Sequence, residues 1–161
     1  MSNISLARID FRLIHGQVIT KWLRQTNANQ IVVIDDELSK DSFMSSIYTM
    51  AAPPGIPVKV TSVDDAVKAW NNNDFENNNL FVLFKNVEQA YKAITKGIDI
   101  NKLQIGGLGA GPGRKVVFGP ITLDDNDVKL LEELENKKIE IMFHQVPEEN
   151  GATFRTVLKN Y

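Results

Sequence analysis

Short apolar runs rich in β-branched residues alternate along the chain with longer segments in which apolar residues recur at helical spacing. This alternation is typical of βαβ units, in which helices join parallel strands and pack on the sheet. The predicted strands cover residues 4–9, 31–34, 57–61, 80–84, 103–105 and 139–143. The predicted helices cover residues 16–25, 39–50, 62–70, 87–95 and 122–134, and residues 71–79 are predicted to form a polar surface loop. The pattern predicts a single-domain three-layer α/β/α sandwich with a mostly parallel central sheet over residues 1–161.

Composition excludes several classes of function. The chain has 161 residues and no cysteine, which rules out thiol nucleophiles, disulfides and thiolate metal sites. A net charge of -2 argues against a nucleic-acid binder that neutralises many phosphates. No apolar run reaches the length of about 18 residues that a membrane helix needs, and the first residues do not resemble a signal peptide. We therefore expect a cytoplasmic protein.

Functional residues are expected where the predicted strands end, because ligands of open α/β sheets bind beyond the carboxyl ends of the strands. One such segment is rich in glycine, at residues 106–113. It lacks the GK[ST] element of a nucleotide-binding loop and a following helix that would receive a pyrophosphate. We interpret it as a tight, mobile turn at the rim of the site.

Residues 8–17, RIDFRLIHGQ, hold two arginines, one aspartate and one histidine just before a predicted helix. A neutral histidine offers a nucleophilic ring nitrogen at cytoplasmic pH, and arginine can bind phosphoryl oxygens in bidentate fashion. The helix that begins at Gly16 presents unpaired backbone N–H groups that favour an anion. These residues predict a phosphoryl acceptor at His15, although a capping or purely hydrogen-bonding histidine is the alternative.

The residues around His15 have assigned roles in this hypothesis. Arg12 is expected to be catalytic and to bind phosphate, and Arg8 and Gly16 are expected to bind phosphate with it. Asp10 is expected to be catalytic as well, either by orienting an arginine or by holding the imidazole in one tautomer, and the sequence does not separate these roles from capping.

The string at residues 8–18, RIDFRLIHGQV, closely resembles the active-site motif of one family of the bacterial sugar phosphotransferase system. That family comprises the IIB components of the mannose/fructose/sorbose type, including those for N-acetylgalactosamine. Four further features also resemble it, so the likeness spans the whole chain: the turn at residues 105–107, the segment at 113–115, the helix start at Thr122 and the segment at 145–147.

The resemblance implies that a IIA component phosphorylates His15 at Nδ1 and that the group passes to a sugar bound by the membrane components IIC and IID. The chain would then be a protein-Nπ-phosphohistidine:sugar phosphotransferase component that needs no cofactor and no metal. The resemblance further implies that Arg12 assists transfer to the sugar and that Asp10 and Arg8 support it. It allows a homodimer and does not select one sugar of the family. Phe11 departs from the family pattern, in which aspartate often stands at that position.

Other residues of the chain are weaker candidates. The acidic residues 35–37 resemble the magnesium pocket of response-regulator receivers. Such a pocket also needs further carboxylates and a lysine at the ends of other strands, and Lys85 is a weak match for that lysine. We therefore favour a charge role at a helix N-terminus for residues 35–37. His144 is interpreted as structural. A metal hydrolase is disfavoured, because two distant histidines make a poor ligand set.

A phosphocarrier also needs a surface that partners can reach. We expect the apolar residues beside His15 to offer contact points, with a half-buried position as the equal alternative for Leu13 and Ile14. Four basic side chains are expected to add positive potential for an acidic partner. The apolar residues are Phe11, Leu13 and Ile14, and the basic residues are Lys21, Arg24, Lys85 and Arg114. The remaining alternative function is a non-catalytic module that holds an anion in the same loop.

Overall fold

A computed structural model describes residues 3–161; Met1 and Ser2, which the predicted domain includes, lie outside the described residues. The central sheet has seven strands, and two further strands form a separate hairpin. The sheet strands are β1 (Asn3–Asp10), β2 (Gln30–Ile34), β3 (Val58–Thr61), β4 (Asn79–Phe84), β5 (Lys102–Gly107), β8 (Glu140–Phe143) and β9 (Ala152–Thr153). The hairpin strands are β6 (Lys115–Phe118) and β7 (Ile121–Leu123).

The described residues form six α-helices and a 3-10 turn at Leu38–Lys40. The helices are α1 (Gly16–Thr26), α2 (Ser42–Met50), α3 (Val63–Asn71), α4 (Val87–Thr95), α5 (Asp125–Asn136) and α6 (Phe154–Leu158). Within residues 3–161, no helix combines the length and the apolar character needed to cross a membrane.

The sheet has the strand order β3-β2-β4-β1-β5-β8-β9, and only β9 pairs antiparallel to its neighbour. Two apolar cores lie on its opposite faces. Residues of α1 belong to one core, whereas α3, α4 and α5 contribute to the other, so the predicted three-layer sandwich is confirmed. The connections that leave β1 and β5 therefore run to opposite faces, and the carboxyl ends of two such strands are where ligands of open α/β sheets bind.

Polar residues at the start of three helices set where those helices begin. Ser62 accepts the backbone N–H of Asp65 at the start of α3, as its position before an apolar helical pattern predicts. Asn86 caps α4 in the same way. At α5, Asp124 and Asp127 form a reciprocal capping box.

Several predicted boundaries were wrong. Asp41 caps α2, so the helix predicted from residue 39 begins at Ser42, after the 3-10 turn. Thr122 lies in β7 instead of starting a helix, because the capping box begins α5 three residues later, at Asp125. The predicted polar loop at residues 71–79 contributes Phe75 to the core. The hairpin, β9 and α6 were not predicted.

Candidate functional site

The carboxylate of Asp10 is the centre of the site. It ends β1, is fully buried and accepts five hydrogen bonds. His15 Nε2 lies 3.0 Å from Oδ2, which Arg8 and Arg12 also approach at 3.3 and 3.4 Å. Burial by itself would raise the pKa of Asp10, but the hydrogen bonds from His15 and Arg12 and the charge of Arg8 lower this pKa below its ordinary value.

His15 is held by this carboxylate and by the start of α1. Its extended backbone occupies the N-cap position of α1, but its side chain makes no capping hydrogen bond. The alternative that His15 serves as a side-chain cap is therefore wrong. The contact with Asp10 favours the tautomer with the proton on Nε2, because only that tautomer can donate to the carboxylate. The Nδ1 lone pair then has no hydrogen-bond partner among the described residues. With 21% of the side chain exposed, His15 can be reached from solvent.

Arg12 lies at the open side of the site. Its side chain is 46% exposed, and Nε and Nη2 donate to the two oxygens of Asp10 at 3.2 and 3.4 Å. The Nη1 donors make no hydrogen bond within residues 3–161. Of the predicted apolar contact points, only Phe11 is exposed, since Leu13 and Ile14 are buried in the core beneath the loop. The expectation that Leu13 and Ile14 meet a partner was therefore wrong.

Arg8 lies behind Asp10, inside the protein. Its guanidinium is fully buried, donates to the side chain of Gln104 and donates to the backbone carbonyls of His144 and Gln145 at 2.9 and 3.0 Å. Burial lowers the pKa of Arg8 to about 10, so the group is still a cation at neutral pH. These contacts are all with buried or backbone groups of the protein, and the phosphate-binding role expected of Arg8 stays a prediction.

The glycine pair at the end of β5 makes room for these buried charges. A Cβ atom on Gly106 would lie 1.9 Å from the guanidinium carbon of Arg8, and one on Gly107 would lie 2.7 Å from Oδ1 of Asp10. Both glycines therefore line the site, but neither the space that they leave for Arg8 and Asp10 nor the contact of Gln104 was predicted from the sequence. The only signal was two consecutive glycines at the end of a predicted strand.

The rest of the glycine-rich segment is anchored by Arg114. Its Nε donates to the carbonyl of Gly109 and to Oγ1 of Thr122, at 3.2 and 2.9 Å, and its terminal nitrogens pair with Asp124 and Asp127, at 3.0 and 2.6 Å. These bonds oppose the mobility predicted for the turn. The two carboxylates also compensate the positive charge of Arg114, which corrects the expectation that Arg114 adds positive potential for a partner.

The remaining candidates have structural contacts. Asp36 accepts the first backbone N–H of α3 at 2.8 Å, and Asp35 accepts a backbone N–H of the 3-10 turn at 2.9 Å, in keeping with the favoured interpretation of these carboxylates. His144 contacts the carbonyl of Glu149 through Nε2 and packs edge-on against Trp22. Among the other basic residues, Lys21 pairs with Glu148, whereas Arg24 and Lys85 are exposed to solvent.

Fold and site together define a doubly wound α/β protein with a partly exposed histidine and an exposed arginine on one buried carboxylate at the carboxyl end of β1. The family described as the PTS system sorbose subfamily IIB component matches residues 4–161. The chain belongs to this family of sugar phosphotransferase components, which act as phosphocarriers within a sugar phosphotransferase system.

Similar proteins agree with this assignment. The chain is 37% identical over 131 residues to the sorbose-specific EIIB component of Lacticaseibacillus casei, covering 81% of this chain and 80% of that protein. The structure of manxB from Thermoanaerobacter tengcongensis superposes with a TM-score of 0.93 at 41% identity, covering 100% of this chain and 98% of that one. The IIBSor domain of the sorbose permease from Klebsiella pneumoniae gives a TM-score of 0.93 at 32% identity, over 98% and 96% of the two chains.

Proposed function

We propose that this phosphocarrier accepts its phosphoryl group on Nδ1 of His15 from a IIA component and delivers it, in the cytoplasm, to a sugar bound by IIC and IID membrane components. The observation that supports this proposal is the 3.0 Å contact between Nε2 of His15 and Oδ2 of Asp10. It occupies one ring nitrogen as a donor and leaves the other as the nucleophile.

Asp10 stabilises the charge that forms during transfer. The Nδ1 lone pair attacks the phosphorus of the donor's phosphohistidine, a nitrogen–phosphorus bond forms on His15, and the bond to the donor's ring breaks. The proton on Nε2 stays in place, so the phosphorylated imidazole of His15 becomes positively charged. The ionised carboxylate of Asp10 lies beside that charge and needs no proton transfer to stabilise it.

Arg12 binds the phosphoryl oxygens. Its guanidinium shares Oδ2 of Asp10 with the His15 ring, which brings the two side chains together, and its Nη1 donors are free of partners within the described chain. Phosphoryl transfer relies mainly on positioning and on compensation of charge, and a bidentate arginine supplies both. The backbone N–H of Gly16, at the start of α1, adds a donor and the positive end of the helix dipole.

Arg8 acts through Asp10. Because it is fully buried and pairs with Asp10 at 3.3 Å, it favours the ionised carboxylate and fixes its orientation. The single domain over residues 1–161 and the homodimer stay predictions, and sedimentation of the purified chain tests the latter.

Intact-mass analysis tests the phosphocarrier site. The chain is incubated with phosphoenolpyruvate, the general phosphotransfer proteins and a IIA component, with His15→Ala and His144→Ala as matched variants. We expect one acid-labile phosphoryl group on the wild type and on His144→Ala, and none on His15→Ala. Phosphorylation of His15→Ala would refute the assignment, and failure of the wild type with every phosphorylated IIA component would favour the non-catalytic anion module.

Arg12→Gln tests the second half of the cycle. This variant should accept phosphate from the IIA component but donate it to sugar slowly, because the lost donors are needed to stabilise the charged group as it leaves His15. Wild-type sugar phosphorylation by Arg12→Gln would remove this role.

A further inference from the structure

Phe11 joins the loop that carries His15 to the glycine-rich turn. We propose that Phe11 is a positioning residue, whose ring holds the Arg12 guanidinium in the orientation needed to transfer the phosphoryl group from His15. This inference rests on the proposed roles of His15 and Arg12 and adds a residue to them.

The first contact is between Phe11 and Arg12. The guanidinium carbon lies 5.5 Å from the centre of the Phe11 ring, within the range of a cation–π interaction. Asp10 binds Nε and Nη2 and so fixes one edge of the guanidinium, while the ring restricts rotation of its plane about that edge. A half-exposed arginine otherwise retains much rotamer freedom, so two restraints define the direction of the free Nη1 donors better than one does.

The second contact supports the ring from behind. A Cβ atom on Gly109 would lie 3.3 Å from Cε2 of Phe11, so the ring packs closely over that glycine. The Gly109 carbonyl is held by Oγ1 of Thr122 at 2.6 Å and by Nε of Arg114 at 3.2 Å. The backbone N–H of Phe11 also donates to the carbonyl of Gly107 at 3.1 Å. The ring therefore rests on backbone that is tied to β7 and the start of α5.

A carboxylate at this position would act differently. An aspartate side chain has no ring face to place beneath the guanidinium, and its negative charge would compete with phosphate for the donors of Arg12. The phenylalanine leaves Arg12 with Asp10 as its one carboxylate partner among the described residues. The chain thus orients the arginine without adding negative charge to the phosphate site.

The test is a double-mutant cycle on transfer to sugar. Phe11→Leu, Phe11→Tyr, Arg12→Gln and the double variant Phe11→Leu/Arg12→Gln are first phosphorylated by the IIA component. Each is then mixed with vesicles that contain IIC and IID, with labelled mannose, fructose, sorbose and N-acetylgalactosamine supplied in turn. The single-turnover rate of sugar phosphorylation is compared with the rate at which each variant accepts phosphate.

We expect Phe11→Leu to donate roughly two- to fivefold more slowly, as loss of an exposed cation–π contact implies, and Phe11→Tyr to retain the wild-type rate. Phe11→Leu should cause no further loss in the Arg12→Gln background, because the residue to be positioned is absent. An equal loss in both backgrounds, as expected for a partner contact, or a slow Phe11→Tyr would overturn the inference. Slow transfer by Arg12→Gln with normal transfer by Phe11→Leu would overturn it alone, whereas normal transfer by Arg12→Gln would overturn the proposed role of Arg12 as well.

Discussion

Replacing Asp10 by asparagine is the sharpest perturbation of the buried site. Asparagine has nearly the same shape as aspartate, so the change removes the negative charge without leaving a cavity. Arg8 would then remain a fully buried cation without its carboxylate, and His15 would lose the charged acceptor of its Nε2 proton. The variant should therefore be less stable than the wild type and should be phosphorylated more slowly.

The structure sets the size of both effects. Removing one partner of a buried ion pair costs about 3–5 kcal/mol, because the other charge stays desolvated and uncompensated. For a domain of this length, that loss lowers the melting temperature by roughly 6–20 °C. Loss of a hydrogen bond to a charged group costs about 1.5–3 kcal/mol, so phosphorylation of His15 should slow by about 10- to 160-fold.

Urea denaturation followed by circular dichroism measures the first effect, and the rate of phosphorylation by a IIA component measures the second at a temperature where the variant is folded. Asp74→Asn, at an exposed aspartate, is the matched control and should change stability by less than about 0.5 kcal/mol. In a cycle with Arg8→Met, the double variant should lose less stability than the sum of the single losses. An Asp10→Asn protein within about 1 kcal/mol of the wild type, phosphorylated at the normal rate, would refute this account of the site.

Three further predictions address acid stability and the glycine-rich segment. The pKa of Asp10 lies below its ordinary value in the folded protein, so the stabilising effect of the carboxylate is present above the ordinary carboxyl pKa and is lost as the pH falls through the lowered pKa. Urea titrations at about pH 7 and about pH 3 should therefore show a smaller difference in the free energy of unfolding between wild type and Asp10→Asn at the lower pH. An equal difference at both pH values would contradict this prediction. Gly106→Ala should lower the free energy of unfolding by about 3 kcal/mol or more, because the added methyl overlaps the Arg8 guanidinium. In the control Gly111→Ala the methyl has its nearest contact at 3.5 Å, so the urea midpoint of unfolding should barely change. Arg114→Met should lower the free energy of unfolding by about 2–3 kcal/mol and speed amide hydrogen exchange in the glycine-rich segment. Unchanged exchange in that segment would show that Arg114 does not anchor it.

Local sequence patterns were enough to predict the architecture and the position of the site in the fold. The helical and strand periodicities depend on residues within a few positions of each other, which is why the parallel sheet and the Ser62 cap were predicted correctly. The motif at residues 8–17 spans the carboxyl end of the first strand, which is where the rule for α/β sheets places ligand sites. Short elements such as α6 and the β6–β7 hairpin carry too few residues for a periodic signal, so they were missed.

The tertiary structure alone decided where each charged residue of the motif lies and what it contacts. Arg8 and Asp10 lie two residues apart in β1, so they share one face of the strand, but nothing local indicates that Trp22 of α1 covers that face. The partners of Arg8 are distant in the chain: Gln104 is 96 residues away, and the Gln145 carbonyl is 137 residues away. The same folding leaves Arg12 at the surface. Whether an arginine stabilises a buried carboxylate or faces phosphate depends on burial by remote elements, and local sequence spacing does not encode that burial.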